Sequence, residues 1–199
     1  MSIMFNIILF AIVLVLYLHI IQQLKKSEDL EIYEMDYTTN SHLQEVCDVK
    51  QPVLFEYNSV STEFYQEINT DALDKCGIYD LKIKSIQDYY VDDVNASVDS
   101  VILPAQSANK LLKSDTHANY FTENNHDFIE DANLYQFFHA NDEYIKPNAT
   151  ILTKYDVLMG SSNAYTPLRY HTDYRRFIST QSGKITIKMT PWKSSKHLY

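Results

Sequence analysis

The run from Phe5 to Ile21, FNIILFAIVLVLYLHII, is apolar almost without interruption, and two basic residues, Lys25 and Lys26, follow it closely. A helix over residues 3–24 rises about 1.5 Å per residue and covers roughly 30 Å, the hydrocarbon thickness of a bilayer. Asn6 and His19 interrupt it only near its ends, where interfacial water hydrates them. A core helix of a soluble protein carries a polar stripe at helical period, and this run has none. The competing reading is a cleaved signal peptide, which wants a basic n-region, a shorter apolar stretch and a small-x-small cleavage site. No Lys or Arg precedes the run, and the following HIIQQLKKSEDLEIYE offers no such site. The sequence therefore predicts a single-pass membrane protein, with residues 1–26 as the anchor and its basic flank. Positive flanks stay on the cytoplasmic side, so Lys25 and Lys26 place the following domain in the cytosol.

Two further features bear on sidedness. Cys47 and Cys76 make no disulfide framework and no CxxC pattern, which fits a reducing compartment and gives no zinc or redox motif. Against this stand two glycosylation sequons, at Asn95 and Asn148, which belong to the opposite arrangement, an ectodomain outside the cell.

Residues 27–42 are charged and polar with little period and read as a linker. About 155 residues follow, enough for one domain with a real core, over residues 43–199. The net charge of −9 excludes a nucleic-acid partner, whose phosphates need a basic surface, and leaves the lipid bilayer and other proteins as partners. Sixteen tyrosines and nine phenylalanines against three glycines favour pleated, half-buried surfaces, so the expected class is α+β, mainly β.

Periodicity places the elements. Residues 43–49 form a short helix and residues 52–57 a strand with Pro52 at its entrance. Residues 62–73 are helical, residues 79–86 alternate as a half-buried strand, residues 101–104 form a strand and residues 106–113 a helix. One helix runs over residues 127–139, capped by Asn124 or Asn125, with Phe128, Ile129, Leu134, Phe137 and Phe138 on its apolar side. Three strands close the chain, over residues 151–159, 168–180 and 184–190. The last two are joined as a hairpin by the turn at Gln181, Ser182 and Gly183.

One stretch has metal-site character. In Thr166-Pro-Leu-Arg-Tyr-His-Thr-Asp, His171 and Asp173 lie two apart, and on a strand both point to one face. With a distant second histidine they would make the two-histidine, one-carboxylate triad of Fe(II) oxygenases. The arginines at 169, 175 and 176 form a basic cluster that pairs with the chain's own acids or binds a carboxylate or phosphate. His117, His126 and His139 have no ligand spacing and read as surface residues.

The run TPLRYHTDYRRFISTQSGKITIKMTPW resembles the strand–hairpin–strand signature of the JmjC/cupin-8-like proteins. Residues 50–55, 124–128 and 155–160 resemble further family segments in matching order. The anchor together with TPLRY, YR and TPxKS is similar to membrane-anchored cupin-like proteins encoded by giant DNA viruses. The resemblance implies a double-stranded β-helix over residues 43–199, on a host or virion membrane, and for an active member Fe(II) and 2-oxoglutarate. Counted from Thr166-Pro167, however, the family's metal positions fall on Arg169 and His171; counted from Gly183, they fall on Tyr170 and Thr172. The lysine that holds 2-oxoglutarate becomes Ile185, and the sole histidine further on is His197. The resemblance thus implies an incomplete barrel lacking its C-terminal strands, working as a non-catalytic structural or interaction module. The alternative is an Fe(II)/2-oxoglutarate hydroxylase using His171 and Asp173.

Overall fold

The computed structural model describes residues 2–24, 27–57, 75–90, 99–169, 171 and 173–197. The expected helix over residues 62–73 and the anchor's Lys25 and Lys26 lie outside them. Helix α1, Ser2–Leu24, is continuous, and over Ile3–Gln22 none of it is buried. It is long and apolar enough to span a membrane or to serve as a signal sequence.

The chain divides into two compact units, α1 belonging to the first. In the first, comprising Met1–Glu56, Thr172–Ile178 and Ile187–Tyr199, β1 (Tyr33–Met35) pairs in parallel with β2 (Val53–Phe55), and α2 (Asn40–Cys47) makes the crossover. Parallel neighbours require such a crossover, because a tight turn only joins antiparallel ones. Thr39 starts α2 by accepting a hydrogen bond from the His42 N–H at 3.2 Å, and Leu43 is its buried residue. The segment read as a linker is therefore part of a β-α-β unit. Tyr33 donates to the Pro52 carbonyl at 2.9 Å, a tie that charge content alone does not reveal.

The second unit, Tyr57–His171 with Ser179–Thr186, holds a four-stranded sheet in the order β4-β3-β5-β6. Its strands are β3 (Asp80–Ser85), β4 (Ser100–Pro104), β5 (Tyr120–Thr122) and β6 (Met159–Gly160), all antiparallel to their neighbours. The alternation in β3 does what the sequence predicts: Leu81 and Ile83 are buried, while Lys82 and Lys84 face the other way. Helix α3 (Ala105–Ser114) lays Ala105, Ala108 and Leu112, one helical stripe, against that buried face. No side chain caps α3. The Tyr79 and Gly77 carbonyls accept its first N–H groups instead, at 2.7 and 3.2 Å.

Helix α4 (His126–Asp131) adds Phe128 and Ile129 to the core, and α5 (Tyr135–Ala140) and α6 (Asp142–Ile145) follow. The single helix expected over residues 127–139 is thus two. Asn133 adopts φ 52°, the Leu134 N–H reaches back to the Ile129 carbonyl and the Asn133 N–H to that of Glu130. Those two bonds around a left-handed residue are a Schellman stop, in which asparagine is tolerated better than other non-glycine residues.

The class is α+β, but the balance is not mainly β, since more described residues are helical than extended. The aromatic and β-branched residues that suggested sheet also line helix faces. The three strands expected at the C-terminal end shrink to Met159–Gly160. Residues 168–180 and 184–190 make no ladder among the described residues, although Gly183 does take the positive φ of a turn, 78°. Alternation specifies which face a residue shows; it supplies no partner strand.

Candidate functional site

A dense polar arrangement in the second unit surrounds Glu123, the residue after β5, which is 7% exposed. Its Oε1 accepts hydrogen bonds from the Tyr89 hydroxyl at 2.6 Å, Arg169 Nη1 at 2.8 Å and Lys84 Nζ at 3.2 Å. Its Oε2 accepts from Arg169 Nη2 at 2.6 Å, completing a bidentate fork. The Arg169 guanidinium also lies 5.4 Å from the Tyr89 ring centre. Lys84 is delivered by the polar face of β3, and Tyr89 by the short helical turn Gln87–Tyr90.

Burial pushes the Glu123 carboxyl upward, but the donors of Arg169, Tyr89 and Lys84 outweigh it and bring it down to about 2. Burial, and then the bond to Glu123, raise the Tyr89 phenol above its ordinary value. A carboxylate so stabilised is a poor base and holds no proton near neutrality, and the raised phenol keeps its own, so neither exchanges protons at pH 7. The group is an organising ion cluster. A depressed carboxyl contributes stability that is complete above its unfolded-state value and is lost as pH falls through the folded one. Stability is therefore expected to be level above pH 4.5 from this group and to fall between about 4.5 and about 2. Urea unfolding at a series of pH values checks this; an acid loss complete by pH 5 would place the sensitivity elsewhere.

Beside it, Asp156 accepts from the N–H groups of Asn124 (2.8 Å), Asn125 (2.8 Å) and Val157 (2.9 Å). Buried Asn125 accepts from the Lys82 N–H at 2.9 Å and donates to Thr122 Oγ1 at 2.7 Å and the Val157 carbonyl at 2.9 Å. It caps no helix, because its side chain is committed to joining β3, β5 and the segment before β6. His126 is half-buried rather than a surface residue, with Nδ1 on the Tyr155 carbonyl, whereas His117 and His139 are exposed. A shallow cavity of about 220 Å³ lies nearby between Asp80, Asp127, Asp131 and Lys82, with Lys82 Nζ paired to Asp127 at 2.8 Å.

The sequence-predicted ligands fare differently. Asp173 is exposed and accepts from Arg176 Nε at 3.2 Å and Nη2 at 2.7 Å. His171 is exposed on a non-strand segment, so the shared strand face expected for the pair does not form. A permanently charged guanidinium on the Asp173 carboxylate competes with a divalent ion for the same oxygen. Among the described residues no three His, Cys, Asp or Glu side chains gather as a metal site. Asp173 as it stands is committed to Arg176 and shares no strand face with His171, an arrangement that does not suit an iron centre. Arg169 grips Glu123, and Ile185 is exposed.

The arginines do pair with the chain's own acids: Arg169 with Glu123, Arg175 with Asp48 at 2.5 Å and Arg176 with Asp173. Sequence reasoning saw this tendency but singled out neither Glu123 nor Tyr89, since a lone acid and a lone tyrosine carry no spacing signal. Cys47 and Cys76 are free thiols, and burial raises both, that of Cys47 being partly offset by Arg175. No family model, no curated protein and no solved structure matches the chain.

Proposed function

We propose that this chain is a single-pass membrane protein whose α1 crosses the bilayer and whose acidic α+β part stands on the cytosolic side as a non-catalytic interaction module. The observation that carries the reading is the state of α1: Ile3–Gln22 are apolar on every side, and none of that surface is covered by the rest of the chain. Leaving so much apolar surface in water is costly, and a bilayer removes it from water entirely. Lys25 and Lys26 support the cytosolic arrangement. The cupin-like assignment, with its place among membrane proteins of giant DNA viruses, is supported by the order of the motifs from residue 50 to the C-terminal hairpin signature. Its non-catalytic character is supported by Arg169 and Ile185 at the metal and co-substrate positions.

Carbonate washing followed by flotation tests the anchor. The full-length chain floats with membranes, and its intact mass retains residues 1–26. Recovery in the supernatant without detergent refutes the anchor, and a shortened N-terminus assigns α1 as a signal sequence. Asn148 lies exposed in a turn and reports sidedness. It stays unmodified in eukaryotic cells if the domain is cytosolic, and a glycosidase-sensitive mass shift reverses the orientation. Stoichiometric Fe(II) binding would overturn the non-catalytic reading.

A further inference from the structure

Residues 165–199 hold seven of the chain's 17 basic residues and one of its 26 acidic ones, a net charge of +6 against −15 for the rest. Within this region residues 184–190, KITIKMT, alternate strictly. Ile185, Ile187 and Met189 share one face at 48–60% exposure, and Lys184 and Lys188 share the other. This is strand patterning without a strand: among the described residues 165–190 make no backbone–backbone hydrogen bond. Nor do Lys184 and Lys188 form an ion pair there.

A matching surface exists at the other end of the chain. β1 has one partner, β2, so its far edge is unpaired among the described residues. Tyr33 donates toward β2, which turns the N–H and C=O of Glu34 to that free edge. Residues 28–36 carry five acids and no base. Glu34 and Asp36 share one face of the line of β1, and Tyr33 and Met35 share the other. An acidic, apolar edge thus faces the same problem as a basic, apolar strand, and each has what the other lacks. Edge lysines also serve simply to keep strands from aggregating, and that bland role predicts a monomer.

We propose that residues 184–190 add as a strand to the free edge of β1 in a second copy of this chain. Lys184, Thr186 and Lys188 lie on the face of Glu34 and Asp36, one lysine directly opposite an acid and the other one pair further along, and the isoleucines lie on the face of Tyr33 and Met35. Both segments are unpaired among the described residues, which leaves each open to a second copy, and reciprocal exchange closes a two-fold dimer. Opposite charges across neighbouring strands stabilise the pairing and like charges oppose it.

The test is the mass of the full-length chain in detergent micelles, by light scattering after size exclusion. Wild type gives two chains. K184E/K188E and E34K/D36K each give one chain, with unchanged far-ultraviolet circular dichroism, and mixing the two variants restores two. Ile187→Pro, which removes a ladder donor without altering charge, also gives one. A wild-type chain that stays single across the concentration range overturns the proposal. So does undiminished association of both charge-reversed variants, which would place the contact in α1. A single chain whose residues 184–190 become protected only on anionic vesicles would overturn it in favour of lipid headgroups.

Discussion

Replacing Glu123 by alanine is expected to lower the unfolding free energy by roughly 3 kcal/mol, the lower end for breaking a buried ion pair. The loss has two parts. Four hydrogen bonds disappear, and their donors stay behind in a place built around a carboxylate. Lys84 is the costly survivor, because its side chain is only 12% exposed and cannot swing freely to water. Arg169 is about a third exposed, at 34%, and escapes to solvent more cheaply, which keeps the estimate from rising further. A urea titration of the detergent-solubilised chain reads the effect as a lower midpoint at unchanged slope. A shift equivalent to less than about 1 kcal/mol would mean that the cluster contributes no more than an exposed pair. Glu123→Gln gives an intermediate loss: the volume is kept, but an amide N–H₂ group now meets donors.

The second large effect lies in α1. Ile12→Arg with Leu16→Arg puts two guanidinium groups on one side of the helix, near its middle. Each costs about 2.5–3.5 kcal/mol at the centre of a membrane helix, so the pair shifts partitioning by a factor on the order of 10⁴. The double variant is expected in the soluble fraction after flotation, while Ile12→Leu with Leu16→Ile stays with the membranes. Equal flotation of both variants would show that something other than α1 holds the chain there. The two experiments are independent, because α1 contributes no residue to the cluster around Glu123.

Local pattern foretold local structure well. The apolar run produced α1, the alternation of residues 79–86 produced β3 with Leu81 and Ile83 inward, and residues 106–113 fell within α3. The misses share a cause: the missing information lay outside the segment. The stop at Asn133 depends on a left-handed asparagine and a following leucine, a signal present in the sequence but outweighed by five apolar residues at helical spacing. Residues 168–180 have strand composition, yet Arg169 and Arg175 hold carboxylates just after β5 and just after α2, where no ladder partner waits. The polar residues before α2 carry no period because only three of them are extended, and their partner lies beyond the crossover. Glu123 was invisible for the same reason, since its four bonds come from two distant stretches of chain, residues 84–89 and Arg169.

If α1 spans a bilayer as proposed, the pairing of Tyr33 with Val53 fixes how far the folded part can stray from it. A free tether over residues 27–42 would have allowed sixteen residues of slack, whereas only residues 25–32 separate α1 from β1. Eight residues at full stretch reach about 26–29 Å. In that arrangement the β1–β2 edge is leashed within one membrane thickness of the headgroups, and whatever grips it must work at that height.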